Sequence, residues 1–200
     1  MLYKEQELKN DGAALTPDSP ETKMAIDLTN LFCRSYVNVF HLFRGKGEFE
    51  ISPNFQLLDS VQTRHRISTL LDFTGSINGI VIINYTEDAA VNVVSAFLQG
   101  MGMGEDDCPK GLGEELINVL GEIMNQVLGA FRRNLSKEYG LSTTSGTPVT
   151  MIPSVMLNVT PVETTQRSFV YVRAQISTPS SVSFYVEFCV QKGVIIKRNK

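Results

Sequence analysis

The sequence predicts an α+β domain in which long helices pack on one face of a mostly antiparallel sheet. The order of its patterns carries this prediction: a helical segment comes first, then hairpin-linked apolar runs, then two more helical segments, then further strands. With 200 residues and 42% hydrophobic content, the chain is long enough for one substantial core. We expect residues 1–18 to form a flexible polar tail and residues 19–200 to form a single domain.

Local signals place the first elements. Ser19 suits the N-cap and Pro20 the first position of a helix, so a first helix is expected from Pro20 to about residue 45. Two apolar runs, at 67–73 and 78–85, flank a short turn that contains a glycine. They predict a β-hairpin.

The second half of the chain follows the same rules. We expect Thr86 to cap a second helix that ends at Gly100. The apolar residues of 112–138 share one face of a third, longer helix. We interpret the polar residues 142–145 as a turn. Three predicted strands complete the domain, at 155–162, 168–176 and 182–190.

Composition argues against several classes of function. The net charge is only −3 and the Lys and Arg residues form no stripe, so a nucleic-acid partner is not expected. The N-terminus lacks an apolar signal core, and the apolar runs are too short to cross a membrane. The 3 cysteines are widely spaced, which indicates a reducing, cytoplasmic setting. Because His41 and His65 have no Cys or carboxylate at ligand spacing, we expect ordinary surface or helix-end histidines and no metal site.

The third predicted helix carries polar side chains opposite its apolar face. Asn118 lies one turn before Glu122, and the carboxylate of Glu122 projects beside the carboxamide of Asn125. Asparagines and glycines weaken a helix, so this stripe, which also contains Gly129, costs stability. The pattern alone favours a plain solvated face.

The spacing of these residues resembles a family signature. In the order [Asp or Ser]-x3-Glu-x2-Asn-x22-Pro, the residues Glu122, Asn125 and Pro148 match in identity and spacing. This order is similar to that of the CheC/CheX/FliY family, whose members are phosphatases of CheY-type response regulators. The strand, helix and loop over 75–102 also resemble the corresponding CheX elements in order and character. Asn118 departs from the signature, because it stands where the family usually has Asp or Ser.

The resemblance implies a fold, a partner and a chemistry. The fold would be CheX-like, and the partner would be a phosphorylated CheY-like receiver domain. By similarity, Asn125 orients the water that attacks the receiver's aspartyl phosphate, and Glu122 pairs with the receiver's active-site lysine. Asn118 and Pro148 are supporting positions, Pro148 at the entry to the following strand. The protein would need no cofactor of its own, since the receiver supplies Mg²⁺.

Other functions of the same fold stay open. A catalytically inactive adaptor that binds receivers is the alternative that Asn118 favours. A flagellar-switch component is a further possibility, but such proteins often carry an additional C-terminal domain, for which few residues follow Ile196. By similarity to CheX, a homodimer formed partly through sheet edges is expected, with a short strand at 193–197 at such an edge.

The first helix repeats part of the signature. Asp27, Asn30 and Pro53 have the spacing of the main motif with Asp in place of Glu, and Lys23 occupies the Asp/Ser position. This match is either a degenerate second motif left by a duplication or a coincidence. We do not expect a working second site, because Asp is shorter than Glu, and we expect Asn30 and the neighbouring Thr29 to lie on the surface.

Overall fold

The computed structural model describes residues 18–44, 49–52, 54–62, 66–154, 158–159, 169–178 and 180–191. Three α-helices occur in these ranges: α1 (Pro20–Arg44), α2 (Glu87–Gly100) and α3 (Glu114–Tyr139). A short 3₁₀ helix, Glu105–Asp107, precedes α3. Three features of the sequence analysis lie outside the described residues: the predicted tail up to residue 17, the histidine at position 65 and the predicted strand at 193–197.

The strands form one large sheet and one small pair. The described strands are β1 (Glu50–Ile51), β2 (Gln56–Leu58), β3 (Val61–Gln62), β4 (Ile67–Gly75), β5 (Gly79–Tyr85), β6 (Thr143–Ser145), β7 (Val149–Met151), β8 (Asn158–Val159), β9 (Phe169–Ser177) and β10 (Ser183–Gln191). The eight-stranded sheet has the order β1-β9-β10-β5-β4-β6, with β2 also on β9 and β7 also on β4. Its pairs are antiparallel, as is the separate pair β3–β8. The predicted α+β class with a mostly antiparallel sheet is confirmed.

The capping residues in the sequence correctly predicted most of the helix ends. The Thr86 side chain accepts a hydrogen bond from the backbone N–H of Ala89, so the predicted N-cap of α2 is confirmed. Gly140 ends α3 in the left-handed conformation with φ 68°, which a glycine adopts without strain. The hairpin β4–β5 is also confirmed, with Phe73 opposite Gly79 at its closed end.

The interpretation of residues 142–145 as a turn is wrong. Thr143–Ser145 is strand β6, which pairs with the end of β4. The hydroxyls of Thr74 and Thr144 lie 3.2 Å apart across this pair. Threonine is β-branched and fits a half-exposed edge strand, so polarity alone did not indicate a turn here.

An aromatic cluster joins the two long helices to the sheet. The ring of Phe131 in α3 lies 5.4 Å from that of Phe32 in α1 and 6.1 Å from those of Phe73 in β4 and Phe188 in β10. All four rings are fully buried. Edge-to-face contacts of this kind add specific geometry to the apolar area that the rings remove from water. The cluster therefore fixes how α3 is rotated against the rest of the domain.

The two long helices run antiparallel. Ser35 accepts a hydrogen bond from the Asn134 amide at 2.9 Å, and Arg34 pairs with Glu138 at 3.2 Å. Further along α1, His41 instead shares a groove with Asn125. Rising residue numbers in α1 therefore meet falling numbers in α3, so the C-terminal end of α1 lies beside the N-terminal half of α3.

Gly79 of the hairpin should be difficult to replace. A Cβ at this position would overlap the carbonyl oxygen of Cys189 and the ring of Phe73. We expect Gly79→Ala to lower the free energy of unfolding by about 1–3 kcal/mol, as overpacking does, measured by chemical denaturation. Gly121→Ala is the control, because the space around Gly121 is open and Ala stabilises an exposed helix by about 0.5–1 kcal/mol. Equal stability of the two variants would contradict this account of the core.

Candidate functional site

The predicted motif lies on the outer face of α3. The buried side of this helix carries the apolar residues, among them Leu120, Ile123 and Phe131. Asn118, Glu122 and Asn125 are all exposed. Because the opposite side of α3 is held in the core, these three side chains are presented to the outside on a rigid element.

The local sequence explains why the helix forms in spite of its polar stripe. Glu114 and Glu115 lie in the first turn and Lys137 in the last, where each charge suits the helix dipole. Gly140 donates its backbone N–H to the carbonyl of Ser136, which completes the C-terminal cap. The packing of nine buried residues of α3 compensates for the low helix propensity of its polar stripe.

Glu122 and Asn125 make almost no polar contacts with other described residues. One carboxylate oxygen of Glu122 accepts a hydrogen bond of 3.3 Å from Gln126 of the same helix. Within the described ranges, the carboxamide of Asn125 has neither a hydrogen bond nor an ion pair. The same holds for the amide of Asn118 over the described part of the chain. All three polar groups are therefore available to another molecule.

A groove of about 680 Å³ runs between α1 and α3 and reaches Asn125. Its walls combine residues of both helices: Asn38, Val39, His41, Asn125, Gln126, Gly129, Ala130, Arg133 and Asn134. His41 lies near the end of α1, as expected, but it is half-buried and its Nε2 is buried without a partner among the described residues. Sequence analysis missed this environment because it depends on the pairing of two helices far apart in the chain.

Pro148 stands where the sequence suggested, directly before a strand. It is half-buried and precedes β7, which pairs with β4 and contacts α3. Proline fixes its own φ and donates no backbone hydrogen bond, so it suits the start of a short strand on the outer edge of a sheet. The following Val149 is 53% exposed.

The degenerate second motif lies far from the first. Asp27 is exposed and Asn30 half-buried on α1, while Pro53 lies outside the described residues. Since the two helices are antiparallel, at 1.5 Å per residue this pair is roughly 20–30 Å along the helix axis from Glu122 and Asn125. Thr29 is fully buried and donates to the carbonyl of Ala25 at 2.7 Å, so its predicted surface position is wrong.

The described residues offer few other groups for chemistry. Cys33 and Cys189 are fully buried, and burial raises the pKa of each thiol to about 12, which makes neither a nucleophile. No group of His, Cys, Asp and Glu in these ranges could hold a metal ion. None of the described helices has both the length and the apolar character to span a bilayer.

Solved structures with a similar fold include chemotaxis proteins. CheX from Desulfovibrio desulfuricans has a TM-score of 0.64 at 21% identity, over 82% of this chain and 99% of CheX. CheX from Vibrio vulnificus has a TM-score of 0.63 at 22% identity, with the same shares of both chains. CheX of the CheX-CheY-BeF3-Mg²⁺ complex from Borrelia burgdorferi has a TM-score of 0.54 at 17% identity, over 84% of this chain and 99% of that chain. No curated protein matched the sequence.

The chain has a long, core-packed helix beside an antiparallel sheet, and it shares this fold with CheX. It is therefore a CheX-like domain. The resemblance to the CheC/CheX/FliY family is thus confirmed at the level of the fold. The chain itself belongs to the family described as proteins of unknown function, DUF3334, whose model matches residues 20–200.

Proposed function

We propose that this protein is a phosphatase of a phosphorylated CheY-type response regulator. The observation that carries the proposal is the Glu122–Asn125 pair, which is exposed side by side on a rigid helix and makes only the Gln126–Glu122 hydrogen bond among the described residues. The CheX-like fold supports it, as does the Borrelia burgdorferi complex in which a CheX is bound to CheY. The signature spacing to Pro148 is the third line of support.

In this reaction the protein would contribute mainly by orienting the attacking water. An aspartyl phosphate is an activated acyl phosphate, and the receiver brings its own Mg²⁺, so no cofactor of this chain is required. Asn125 would hold one water in line with the phosphorus, its carbonyl oxygen accepting a hydrogen bond from that water. The water oxygen then bonds to phosphorus, the bond from phosphorus to the aspartate oxygen breaks, and phosphate leaves with the aspartate carboxylate restored. A neutral amide suits this position because a carboxylate would repel the phosphoryl group.

Glu122 would set the register of docking. Its carboxylate stands one turn from Asn125, and its one contact within the described residues is the weak bond to Gln126. An ion pair with the active-site lysine of the receiver would be a charge-assisted contact at the centre of the interface. The receiver, and with it the phosphoryl group, would then be positioned over Asn125.

A receiver-binding adaptor without catalytic activity is the second candidate. Asn118 is the observation that favours it, since this residue departs from the family signature one turn before Glu122. Both candidates use the same docking surface and both suit a cytoplasmic protein. They differ in turnover, which a phosphate-release measurement resolves. Homodimerisation through a sheet edge is part of the proposal for either candidate.

Asn125→Ala should remove catalysis and keep binding. Because the variant loses only the water-orienting amide, we expect the acceleration of receiver dephosphorylation to fall at least about 100-fold, towards the receiver's own decay rate. The measurement is loss of label from the phosphorylated receivers of the same organism. Lys137→Ala, an exposed residue in the last turn of the same helix, is the control and should retain most activity. Binding without acceleration by the wild-type protein would replace the phosphatase with the adaptor.

Glu122→Ala should weaken docking. Loss of a charge-assisted contact corresponds to about 1.5–3 kcal/mol, so the dissociation constant for the receiver should rise about 10- to 100-fold. Replacing the receiver's active-site lysine by Ala should produce a similar loss, and the two changes together should be less than additive. Full additivity in this double-mutant cycle would show that the two side chains do not meet.

Asn118→Ser tests the departure from the signature. The amide of Asn118 is exposed and makes no contact that holds the described structure together, so the variant should fold normally, as thermal unfolding would confirm. Dephosphorylation should be equal or faster, because Ser is a usual residue at this position. A large loss of activity would mean that Asn118 itself contacts the receiver.

A further inference from the structure

The polar stripe of α3 continues past the motif into a notch. Gly129 lies four residues after Asn125, about 6 Å along the helix axis, and has no side chain to fill its position. The guanidinium of Arg133 lies back over this gap, with Nη1 at 3.5 Å from where a Cβ of Gly129 would stand. We call Gly129 and the guanidinium above it the Gly129 notch.

The notch joins two grooves. On one side is the 680 Å³ groove between α1 and α3, which also contains Asn125. On the other side is a groove of about 410 Å³ that continues to Ser136 and the start of β6. Gly129 and Arg133 line both. A partner that touches Asn125 and follows the helix therefore meets the Arg133 guanidinium next.

The charge of Arg133 is not used within the described chain. Arg133 is exposed, and no hydrogen bond or ion pair involves it among the described residues. The nearest acidic residue on the helix after it, Glu138, is already paired with Arg34 at 3.2 Å. The helix dipole does not explain it either, because Arg133 precedes the last turn of α3, where that effect is concentrated.

The glycine is equally unexplained by the fold. Gly129 is in the interior of a 26-residue helix, where Gly is less stable than Ala. Its backbone needs no glycine, since its φ is not among the positive values, and an added Cβ would meet only Arg133 at ordinary contact distance. Ala would therefore fit, and what the glycine provides is closer access to the helix from outside.

We propose that the Gly129 notch is a second point of contact with the same phosphorylated receiver. There Arg133 pairs with an anionic group beside the receiver's phosphorylation site. The inference rests on the proposed function, because it takes the receiver as the partner at Asn125. Charge complementarity supports it: a phosphoryl group and the carboxylates that hold Mg²⁺ make that surface of a receiver acidic. Continuity supports it as well, since the notch is one turn from Asn125 on the same stripe.

Arg133 is thus a positioning residue. Its guanidinium can form two parallel hydrogen bonds to a carboxylate, and Gly129 lets the partner's surface approach that guanidinium closely. Together with Glu122 on the other side of Asn125, it would hold the receiver at two points of opposite charge. Two such points fix the direction of the receiver along α3, which one ion pair alone does not do.

The first test compares neighbouring arginines. Arg133→Gln should raise the dissociation constant for the Mg²⁺- and beryllofluoride-activated receiver about 10-fold and make binding less dependent on salt. Arg132→Gln is the matched control: it removes the same charge from an adjacent exposed residue that lines the smaller groove but not the groove containing Asn125, and it should change binding less than about twofold. Equal losses in the two variants would mean general electrostatic attraction and would overturn the specific contact.

The second test separates stability from binding. Gly129→Ala should raise the melting temperature by a few degrees, because Ala is the better helix former, and should weaken receiver binding at least about fivefold. If the stabilised variant binds as tightly as wild type, the notch is not a site of close approach and the proposal fails.

A kinetic readout distinguishes this inference from the proposed function. In a dephosphorylation assay, Arg133→Gln should raise KM about 10-fold with kcat nearly unchanged, whereas Asn125→Ala should lower kcat. If wild type dephosphorylates and Arg133→Gln behaves as wild type, only the notch is refuted. If wild type binds the activated receiver without turnover and Arg133→Gln still weakens binding, only the phosphatase is refuted.

Discussion

The packing of Phe131 against three other phenylalanine rings is the constraint on which the rest of the site depends. These rings come from α1, β4 and β10, so one side chain of α3 is tied to both the helix layer and the sheet. A helix held in this way cannot rotate without opening a cavity, and filling such space with large apolar side chains is worth several kcal/mol. The face opposite Phe131 is therefore the outer face, and Glu122 and Asn125 point away from the core with only the Gln126–Glu122 hydrogen bond among the described residues to hold them there.

The same packing lets α3 tolerate the polar stripe, whose residues weaken the helix. Asparagine and glycine on α3 weaken the helix locally, but the buried face more than compensates, so these residues can be chosen for what they offer a partner. Placing the candidate residues on a helix rather than a loop also fixes their spacing to within a fraction of an ångström. For a reaction that needs one oriented water, that rigidity is the main contribution a protein can make.

The sequence was sufficient for the class of fold and for the motif, and insufficient for the surroundings of the motif. Periodicity and caps indicated all three helices, since Thr86 and Gly140 act through contacts within a few residues of themselves. Strand β6 was misread because its pairing with β4 is long-range and its residues are polar. His41 gave no local signal either, because it comes together with Asn125 only where α1 and α3 pack as an antiparallel pair.

The antiparallel pairing of α1 and α3 also bears on stoichiometry and ancestry. The Asp27–Asn30 pair and the Glu122–Asn125 pair lie near opposite ends of this helix pair. If the match in the first helix comes from a duplication and is not a coincidence, the ancestral protein had one motif near each end of this helix pair. In this chain one end keeps the long carboxylate beside the carboxamide, while the other has the shorter Asp27 with Lys23 one turn before it. Under the proposed function, one copy of this chain would bind one receiver, and a second receiver would require a second copy of the chain.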